Sequence, residues 1–398
     1  MASKKQSIVI LGAGFGGVYV HKRLQSAFRK DRDISMTVIN ERDCFLFTPL
    51  LHEVATGGQR QENIIEPLYR ALGSGTLFRI TRATRVDPAR GIVATAGGDI
   101  PYDYLALATG SRANFFGIPG AQEHCFALKS LEDAVRLKNF VTDSAKRPGA
   151  LGFVVVGGGA TGVELSAELV EFTRNALRRK DTAVTLVELG TDLIPQFGSR
   201  LRKEALKVLR KKGIDVRLGT GVASVSADSA ALTNGERIPA NAVIWTAGVS
   251  PNAIPFAGNV ALAKNGAYAV NEYLQLANYK NIFALGDVAS FTNPGEIKPV
   301  PQHAQTAVAE ATCVAENIIR SIKKQPLKAF RYHHTGDLVS LGRWRAVGEI
   351  AGIALSGRFA WWLWRTVYLG KLLTWRKRVA VAIDWTIQLF MRRDTGKL

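Results

Sequence analysis

The chain has 398 residues, enough for two or three domains with a sizeable core, and 47% of them are hydrophobic. This composition, with 38 glycines, predicts a folded α/β protein and excludes a disordered chain. The formal net charge of +19 attracts phosphate groups, whether of nucleic acid, anionic lipid or phosphorylated cofactors. Because no uninterrupted apolar run reaches the ~18 residues that a membrane-spanning helix needs, none is expected.

The three cysteines, Cys44, Cys125 and Cys313, are far apart in the sequence. This spacing predicts neither a disulfide framework nor a zinc site, so no metal is expected and a reducing compartment fits. The basic N-terminus precedes an apolar run, as in a signal peptide, but glycines at fixed spacing within that run argue against one.

The first strand–glycine–helix pattern is "SIVILGAGFGGVYVHKRL", which begins at Ser7 and is followed by a strand ending at Asn40. Its G-x-G-x-x-G comprises Gly12, Gly14 and Gly17. Glycines at this spacing allow backbone to approach a pyrophosphate, which the helix N-terminus then binds. The ribose-binding residue should end the next strand, where either Asn40 or Glu41 could serve.

A second pattern of the same kind, "LGFVVVGGGATGVELSAELVEF", begins at Leu151, and the strand after it ends at Glu188. Its glycines are Gly157, Gly159 and Gly162. A carboxylate at the end of that strand binds a ribose 2′-OH and repels a 2′-phosphate, which favours NAD(H) over NADP(H). Two dinucleotide sites in one chain indicate hydride transfer between a nicotinamide and a bound flavin.

Three further buried strands are predicted, in "DYLALATGS", "NAVIWTAGVSPN" and "KNIFALGDVA", and a helix from about Gln302 to Ile322 follows. The last strand ends in Gly286-Asp287, so Asp287 is expected to return to the first nucleotide. We therefore predict an α/β protein with two Rossmann-like domains, the first discontinuous, and a C-terminal membrane-associated helical region. The predicted boundaries are 1–115 with 270–330 for FAD, 116–269 for NAD(H), and 331–398 for membrane anchoring or dimerisation.

The C-terminal segment concentrates tryptophan and positive charge. Five of the seven tryptophans follow Arg358, and from there to the end nine Lys/Arg and two Asp/Glu give +7. Tryptophan and snorkelling cations favour a membrane interface. From Val379 onwards, one helical face carries Val379, Ile383, Ile387 and Phe390, and the opposite stripe carries Asp384, Gln388 and Arg392. This predicts an amphipathic helix lying in the interface, the alternatives being a dimerisation helix or one packed on the body. The predicted membrane residues are Trp361, Trp362, Trp364, Arg365, Trp375, Arg376, Lys377, Arg378, Trp385 and Phe390.

The order of "GAGFGG", "LFTPLLHEVATG", "LALATGS", "GGGATGVELSAEL", "WTAGV", "LGDVA" and "AQTAVAE" resembles type II NADH dehydrogenases, which are non-pumping NADH:quinone oxidoreductases. The resemblance to their two-dinucleotide superfamily covers about residues 7–320, and the tail fits the family's membrane attachment. It implies tightly bound FAD and NADH as a substrate. The implied FAD residues are Gly12, Gly14, Phe15, Gly16, Gly17, Thr109, Gly110 and Asp287, and the implied NADH residues are Gly157, Gly159, Thr161, Gly162 and Glu188.

The resemblance also places Glu164 and Gln305 in catalytic positions beside flavin and quinone. It puts Thr48, Pro49, His52, His303, Ala304 and Ala309 in the vicinity of the quinone, although the family usually has a second glutamine where this chain has Ala309. Glu164 could instead be a partner of the helix dipole, and Gln305 could satisfy buried backbone groups. If Glu164 lines the pocket, burial would raise its pKa and suit it to proton delivery. Each histidine could assist protonation or simply pack.

The expected function is transfer of hydride from NADH to FAD and of two electrons to a membrane quinone, without proton pumping. The expected location is peripheral, on the anionic cytoplasmic face of the inner membrane, with a homodimer possible. Alternatives are reductases of the sulfide:quinone or ferredoxin-reductase type. Lone Cys44 argues against disulfide reductases, and the complete second glycine motif argues against the sulfide:quinone type. A redox-responsive flavoprotein that binds nucleic acid or a protein partner is the non-enzymatic alternative, but no nucleic acid is expected because no such fold motif is present.

Overall fold

The structure is a computed structural model and describes residues 5–73, 76–391 and Arg393. The helices of these residues are α1 (Phe15–Phe28), α2 (Leu51–Ala55), α3 (Gln61–Ile64), α4 (Leu68–Leu72), α5 (Ala121–His124), α6 (Leu131–Ser144), α7 (Ala160–Glu171), α8 (Ser199–Lys211), α9 (Ala304–Ile322), α10 (Gly357–Lys371) and α11 (Trp375–Phe390). Short 3₁₀ turns lie at Thr48–Leu50 and Gly286–Val288, and a π-helical turn at Phe172–Ala176 continues α7.

The chain divides into two compact units, each assembled from separate segments. The first comprises the described residues of Met1–Phe45, Glu66–Arg112 and Val249–His334. The second comprises those of Leu46–Ile65, Ala113–Gly248 and Thr335–Leu398. Each unit is therefore discontinuous, and each contains one of the two glycine motifs.

A five-stranded parallel sheet forms the centre of the first unit. Its strands, in spatial order, are Ile282–Ala284, Tyr104–Leu107, Gln6–Leu11, Ile34–Asn40 and Leu77–Ile80. Val9 pairs with Thr37 on one side and Leu105 on the other, and Val9 and Leu105 are fully buried. β-Branched residues with covered faces on both sides are typical of parallel sheets. This order returns the late strand to the N-terminal nucleotide motif, as the discontinuous first domain required.

The second unit repeats this arrangement. Its parallel strands, in spatial order, are Cys125–Ala127, Ala242–Trp245, Leu151–Val156, Thr182–Glu188 and Ile214–Leu218. The strand order around each glycine motif is the same, with one strand from a later segment on one side and the next strand in sequence on the other. The fold class predicted from the sequence is confirmed.

Small antiparallel sheets complete the units. The first unit has Ala83–Asp87, Ile92–Thr95 and Gly98–Pro101, and the second has Val222–Val225, Ser229–Leu232 and Arg237–Pro239. The C-terminal part of the second unit contains a further three-stranded sheet of Gly336–Ser340, Ala346–Ile350 and Ile353–Ser356. Helices α10 and α11 follow this sheet. None of the described helices has the length and apolarity needed to cross a membrane.

The predicted boundaries differ from the two compact units in several places. Residues 46–65 join the second unit because α2 packs on α6 and α7. Residues 249–269 join the first because Tyr268 is buried in its core and Val86 N donates to Pro255 O at 2.9 Å. The C-terminal segment does not stand apart, since its first strand packs on α7. That the first unit binds FAD and the second NAD(H) stays a prediction.

Candidate functional site

The first glycine motif forms an open turn at the start of α1. Gly12 has φ +94°, and a Cβ there would lie 2.2 Å from Ala108 O. A Cβ on Gly17 would lie 1.8 Å from Gly12 O, so the helix can approach this turn only with glycine present. Gly14, the residue before α1, has nothing within 4 Å of the same position. The motif therefore has free space at the helix N-terminus, where free N–H groups bind a pyrophosphate. Phe15 and Gly16 begin α1 itself.

Asn40 and Glu41, between which the sequence did not decide, have different environments. Asn40 Oδ1 accepts from Ala13 N at 2.9 Å, and its Nδ2 donates to Arg42 O at 2.8 Å. Glu41 is exposed, with Arg82 Nε 3.5 Å from its carboxylate. Asn40 thus holds the glycine turn in place, whereas the Glu41 side chain faces solvent.

The other predicted FAD residues of the first unit are tied to its loops. Thr109 Oγ1 donates to Asn252 O at 2.8 Å, and Gly110 has φ +69° with open space around it. Ser111 Oγ donates to the carboxylate of Asp287. The buried carboxylate of Glu310 accepts from Gly286 N at 2.5 Å, and burial raises the pKa of Glu310 to about 8. Glu310 therefore fixes the loop that presents Asp287, a role that the sequence did not indicate.

The predicted quinone residues of the first unit lie at the start of α9. His303 is the exposed residue before this helix and makes no side-chain cap. Gln305 is half-buried, with Nε2 3.3 Å from His334 Nδ1. Ala304 and Ala309 are also half-buried. The role of Gln305 beside the quinone stays a prediction.

The second glycine motif has the geometry of the first. A Cβ on Gly162 would lie 1.9 Å from Gly157 O, and Gly159 is open. Glu188 at the end of its strand accepts from Gly158 N at 2.5 Å and from Gly190 N at 2.6 Å. Glu188 occupies the same position as Asn40, since each accepts from the residue after the first glycine. Thr161 is exposed in the first turn of α7. The second site thus carries a carboxylate where the first carries an amide.

Glu164 lies in α7 and is buried among polar partners of the second unit. Its Oε1 accepts from Ser340 N at 2.9 Å and from Trp364 Nε1 at 3.1 Å, and its Oε2 is 3.7 Å from His52 Nδ1. Burial, opposed by these two hydrogen bonds, raises the pKa of Glu164 to about 8. The carboxyl is therefore protonated at neutral pH, and a neutral carboxyl does not fit a charged partner of the helix dipole.

His52 is uncharged in this environment. Burial, with a smaller contribution from Arg393, lowers its pKa to about 3. Its Nε2 is buried and has no hydrogen-bond partner among residues 5–73, 76–391 and 393. A neutral imidazole with a free ring nitrogen can take part in a hydrogen bond but cannot supply a proton as a cation. Thr48, at the start of the short 3₁₀ turn, is exposed, and Pro49 is half-buried.

A second buried carboxylate, Glu53, lies next to His52, and the sequence did not single it out. Glu53 Oε2 accepts from Trp385 Nε1 at 2.7 Å. Burial, with the nearby charge of Glu168, raises the pKa of Glu53 to about 7. An acidic residue beside His52 in the otherwise apolar stretch "LLHEVA" was the available signal. Tryptophans of α10 and α11 thus donate to one buried carboxylate each, and their rings are 5.6 Å apart.

This arrangement corrects part of the predicted membrane surface. Trp361, Trp364 and Trp385 are buried inside the protein. The Trp361 ring packs on that of Trp344, and the indoles of Trp364 and Trp385 bind carboxylates. The half-buried Arg365 does not reach headgroups, since its guanidinium lies 3.8 Å from the Trp361 ring centroid and 4.9 Å from that of Trp385. Lys377 is half-buried and donates to Glu62 O. The exposed members of the predicted set are Trp362, Trp375, Arg376, Arg378 and Phe390.

The two faces of α11 are assigned by their contacts. Its polar stripe faces the protein: Asp384 is buried and accepts from Asn63 Nδ2 at 2.6 Å, and Gln388 Nε2 donates to Gly58 O at 2.6 Å. The predicted apolar face is the exposed one, with Ile383 52% and Phe390 85% exposed. Arg392, predicted on the polar stripe, lies outside the described residues. The helix is amphipathic with its apolar face outwards.

Two protein-family models match this chain, one over the N-terminal three quarters and one at the C-terminal end. The sequence model of pyridine nucleotide-disulphide oxidoreductases matches residues 6–311, so the chain belongs to that family. The model of the NDH2 C-terminal domain matches residues 334–394. Within the family, the chain belongs to the type II NADH dehydrogenases, as the sequence predicted.

Individual relatives agree with this assignment. A "probable NADH dehydrogenase" of Dictyostelium discoideum is 31% identical, over 98% of this chain and 91% of the relative. A "type II NADH:quinone oxidoreductase" of Haemophilus influenzae is 29% identical, over 91% and 92%. The solved structure of NDH2 from Plasmodium falciparum in complex with NADH superposes with a TM-score of 0.89, covering 99% of this chain and all of that one at 23% identity. That structural likeness concerns the fold.

Proposed function

We propose that this protein is an FAD-dependent NADH:quinone oxidoreductase. Two strand–glycine–helix motifs of the dinucleotide-binding type, one per compact unit, support this function, and in the second the Glu188 carboxylate ends the following strand, where it would bind the ribose. The open turn at Gly14 and the Asp287 loop would hold FAD, whose bound flavin supplies the two-electron chemistry linking a hydride donor to a quinone. The turn at Gly159 and the Glu188 carboxylate would hold NADH as substrate.

The chain's own residues then have separate tasks. Glu188 would orient NADH and reject NADPH, because a carboxylate repels the 2′-phosphate. Glu164, protonated at neutral pH, would deliver a proton to the reduced quinone. His52, neutral and with Nε2 free among the described residues, would hydrogen-bond the quinone. No residue is assigned to proton pumping.

A stopped-flow experiment tests this function. The purified protein should carry flavin absorbance that bleaches on mixing with NADH and recovers on mixing with a short-chain quinone. Bleaching by NADH without recovery of flavin absorbance on mixing with quinone would indicate an NADH-dependent flavoprotein with another electron acceptor. Sulfide:quinone chemistry has no support in the cysteines, since Cys125 and Cys313 are buried and no disulfide joins any of the three.

Substitution of Glu188 should alter nucleotide selection. Glu188→Ala removes the acceptor for Gly158 N and Gly190 N together with the negative charge, so KM for NADH should rise about tenfold, ~1.4 kcal/mol, and discrimination against NADPH should fall. Glu188→Gln is the matched control, because its amide oxygen can retain one hydrogen bond while the charge is lost. Steady-state KM values measured with NADH and with NADPH test whether Glu188 selects the nucleotide. Unchanged NADPH discrimination in both variants would contradict the assignment.

We also propose peripheral attachment to a membrane through α10 and α11. Their exposed apolar side chains are Phe359, Trp362, Trp375, Val379, Ile383, Ile387 and Phe390. The exposed cations Arg358, Lys371, Arg376 and Arg378 lie on the same two helices. Large exposed apolar patches mark interaction surfaces, and cations favour the anionic cytoplasmic leaflet of the inner membrane. A homodimer using part of this face is compatible with attachment.

The doubly substituted variant Ile383→Glu, Ile387→Glu should lose most membrane binding. Each isoleucine would otherwise bury its side chain in lipid, a contribution of about 1.5–3 kcal/mol, so vesicle affinity should fall more than tenfold. Co-sedimentation with anionic and neutral vesicles across a salt series measures this vesicle affinity. Ile297→Glu is the control, since Ile297 is fully exposed in the first unit. Retained vesicle binding, or loss of a dimer instead, would contradict lipid as the partner.

This surface substitution is preferable to removal of 358–398. Deleting that segment would also remove Trp364 and Trp385, which donate to Glu164 and Glu53. Two carboxyls would lose hydrogen-bond donors, and a buried polar group without a partner costs about 1–3 kcal/mol. Loss of membrane recovery in the truncated protein would therefore not separate attachment from folding.

A further inference from the structure

A polar cavity of about 150 Å³ lies in the second unit, beside α7. Its wall includes Glu53, Glu168, Glu171, Arg343, Arg365 and Arg393. Arg343 and Met391, which also line it, are exposed, so the cavity reaches the surface. It has room for several water molecules and polar groups to bind them. The π-helical turn after α7 contributes Asn175 and Ala176 to the wall, and such turns are frequent at functional sites.

Glu164, Glu168 and Glu171 follow one another on α7 at spacings of four and three residues, so they lie along one helical face. Glu168 and Glu171 line the cavity, whereas Glu164 is outside its lining and contacts Ser340 and Trp364. The helix thus connects the cavity wall with the proposed proton donor. Glu53 on α2 lines the cavity as well, and its charge, like that of Glu168, acts on Glu164.

The proposed reaction requires a proton from solvent. NADH supplies two electrons and one proton as hydride, whereas conversion of a quinone to a quinol takes two electrons and two protons. One proton per turnover must therefore reach the quinone from water. If Glu164 delivers it, as proposed above, the buried carboxylate must be reprotonated before the next turnover.

We propose that Glu53 and Glu168 form a relay that carries protons from this cavity to Glu164. After Glu164 has protonated the quinone, a neighbouring carboxyl gives it a proton and takes another from cavity water. Each transfer breaks one O–H bond and forms one, so no oxidant or reductant is consumed. The relay rests on the proposed quinone-reducing function and adds to it the source of the proton.

The charges around the relay fit proton transfer. Glu53 faces Trp385 of α11, Arg365 of α10, Glu168 of α7 and Arg393. Arg393 donates to Glu168 and lies 3.4 Å from Glu171 Oε2. Carboxyls with pKa values near neutrality exchange protons readily at physiological pH, as do Glu53 at about 7 and Glu164 at about 8. Arg393 and Arg365 offset the negative charge left when a proton departs.

The test uses the flavin-loaded protein and the variants Glu53→Gln and Glu168→Gln. Flavin reduction by NADH should keep its rate in both. Reoxidation of the flavin by a short-chain quinone should slow about tenfold or more at the plateau of its pH–rate profile. Transfer to D₂O should decrease this rate more in the variants than in the unsubstituted protein. Infrared titration of the resting protein gives a readout independent of turnover: Glu53→Gln should lose the carboxyl signal that titrates near pH 7.

Glu171→Gln is the matched control. Glu171 lines the same cavity but pairs with Lys212 and accepts from Arg343 N, two turns of helix from Glu164. Its plateau rate should match the unsubstituted protein. The relay would be overturned if both test variants kept the plateau rate of flavin reoxidation and its D₂O effect. It would also be overturned if the pH dependence of that rate shifted without a lower plateau, since a change of charge alone would then explain the shift. Failure of quinone to reoxidise the unsubstituted protein would instead overturn the proposed function.

Discussion

Substitution of Gly17 by alanine should yield a protein without bound flavin and without NADH:quinone activity. The added Cβ would lie 1.8 Å from Gly12 O, so α1 or the turn before it must move. The turn has little freedom, because Gly12 has φ +94° and closely approaches Ala108 O. Overpacking of this kind costs about 1–3 kcal/mol and moves the N–H groups that would bind pyrophosphate.

Two glycine variants separate this effect from a general loss of stability. Gly198 precedes α8, has φ −61°, and has nothing within 4 Å of a Cβ, so Gly198→Ala should retain flavin and activity. Gly14→Ala should fold equally well but bind flavin more weakly, since its Cβ would enter the open turn. Flavin absorbance after gel filtration and thermal unfolding measure both quantities. A Gly17→Ala protein with full flavin content would contradict the FAD assignment.

Substitution of Glu164 by glutamine should slow reoxidation of the flavin by quinone about a hundredfold and leave its reduction by NADH nearly unchanged. The amide oxygen of the introduced glutamine could still accept from Ser340 N and Trp364 Nε1, because both bonds are made to Oε1 of Glu164. The variant thus loses the proton while keeping the packing. Stopped-flow rates of the two half-reactions, measured with NADH and with quinone separately, test this division.

The pH dependence has a defined sign. Because the pKa of Glu164 is raised from 4.5 to about 8, the folded protein holds this proton more tightly than the unfolded chain. Its contribution to stability is therefore greatest below about pH 4.5 and falls as pH rises towards 8. In Glu164→Gln, thermal unfolding measured across pH should no longer show this part of the loss of stability. The decrease in the rate of quinone reduction at alkaline pH should also disappear. An unchanged decrease near pH 8 would assign the proton to another group.

The two strand–glycine–helix motifs could be predicted from local sequence. The first site needs a strand, glycines at fixed spacing, a helix and a following strand, and all four occur between Gln6 and Asn40. The same short-range requirements fixed the strand that ends at Glu188. Only the choice between Asn40 and Glu41 stayed open, because the direction of each side chain depends on the packed loop.

The buried acidic cluster could not be predicted in this way. Trp385 and Glu53 are 332 positions apart, and Trp364 and Glu164 are 200 apart. The sequence favoured a membrane role for all these tryptophans, because an indole fits equally a lipid interface or a buried carboxylate that accepts its N–H. Only the packed chain provides those carboxylates.

The sequence by itself determined two strand–glycine–helix motifs and the chemistry class, since glycine spacing and strand–helix periodicity act over a few residues. It also determined that α11 has one apolar and one polar face. The tertiary structure decided that the polar face packs inwards, through Asp384 and Gln388, and that the apolar face remains exposed. Periodicity defines two faces of a helix, but which of them is buried depends on hydrogen-bond partners that distant segments supply.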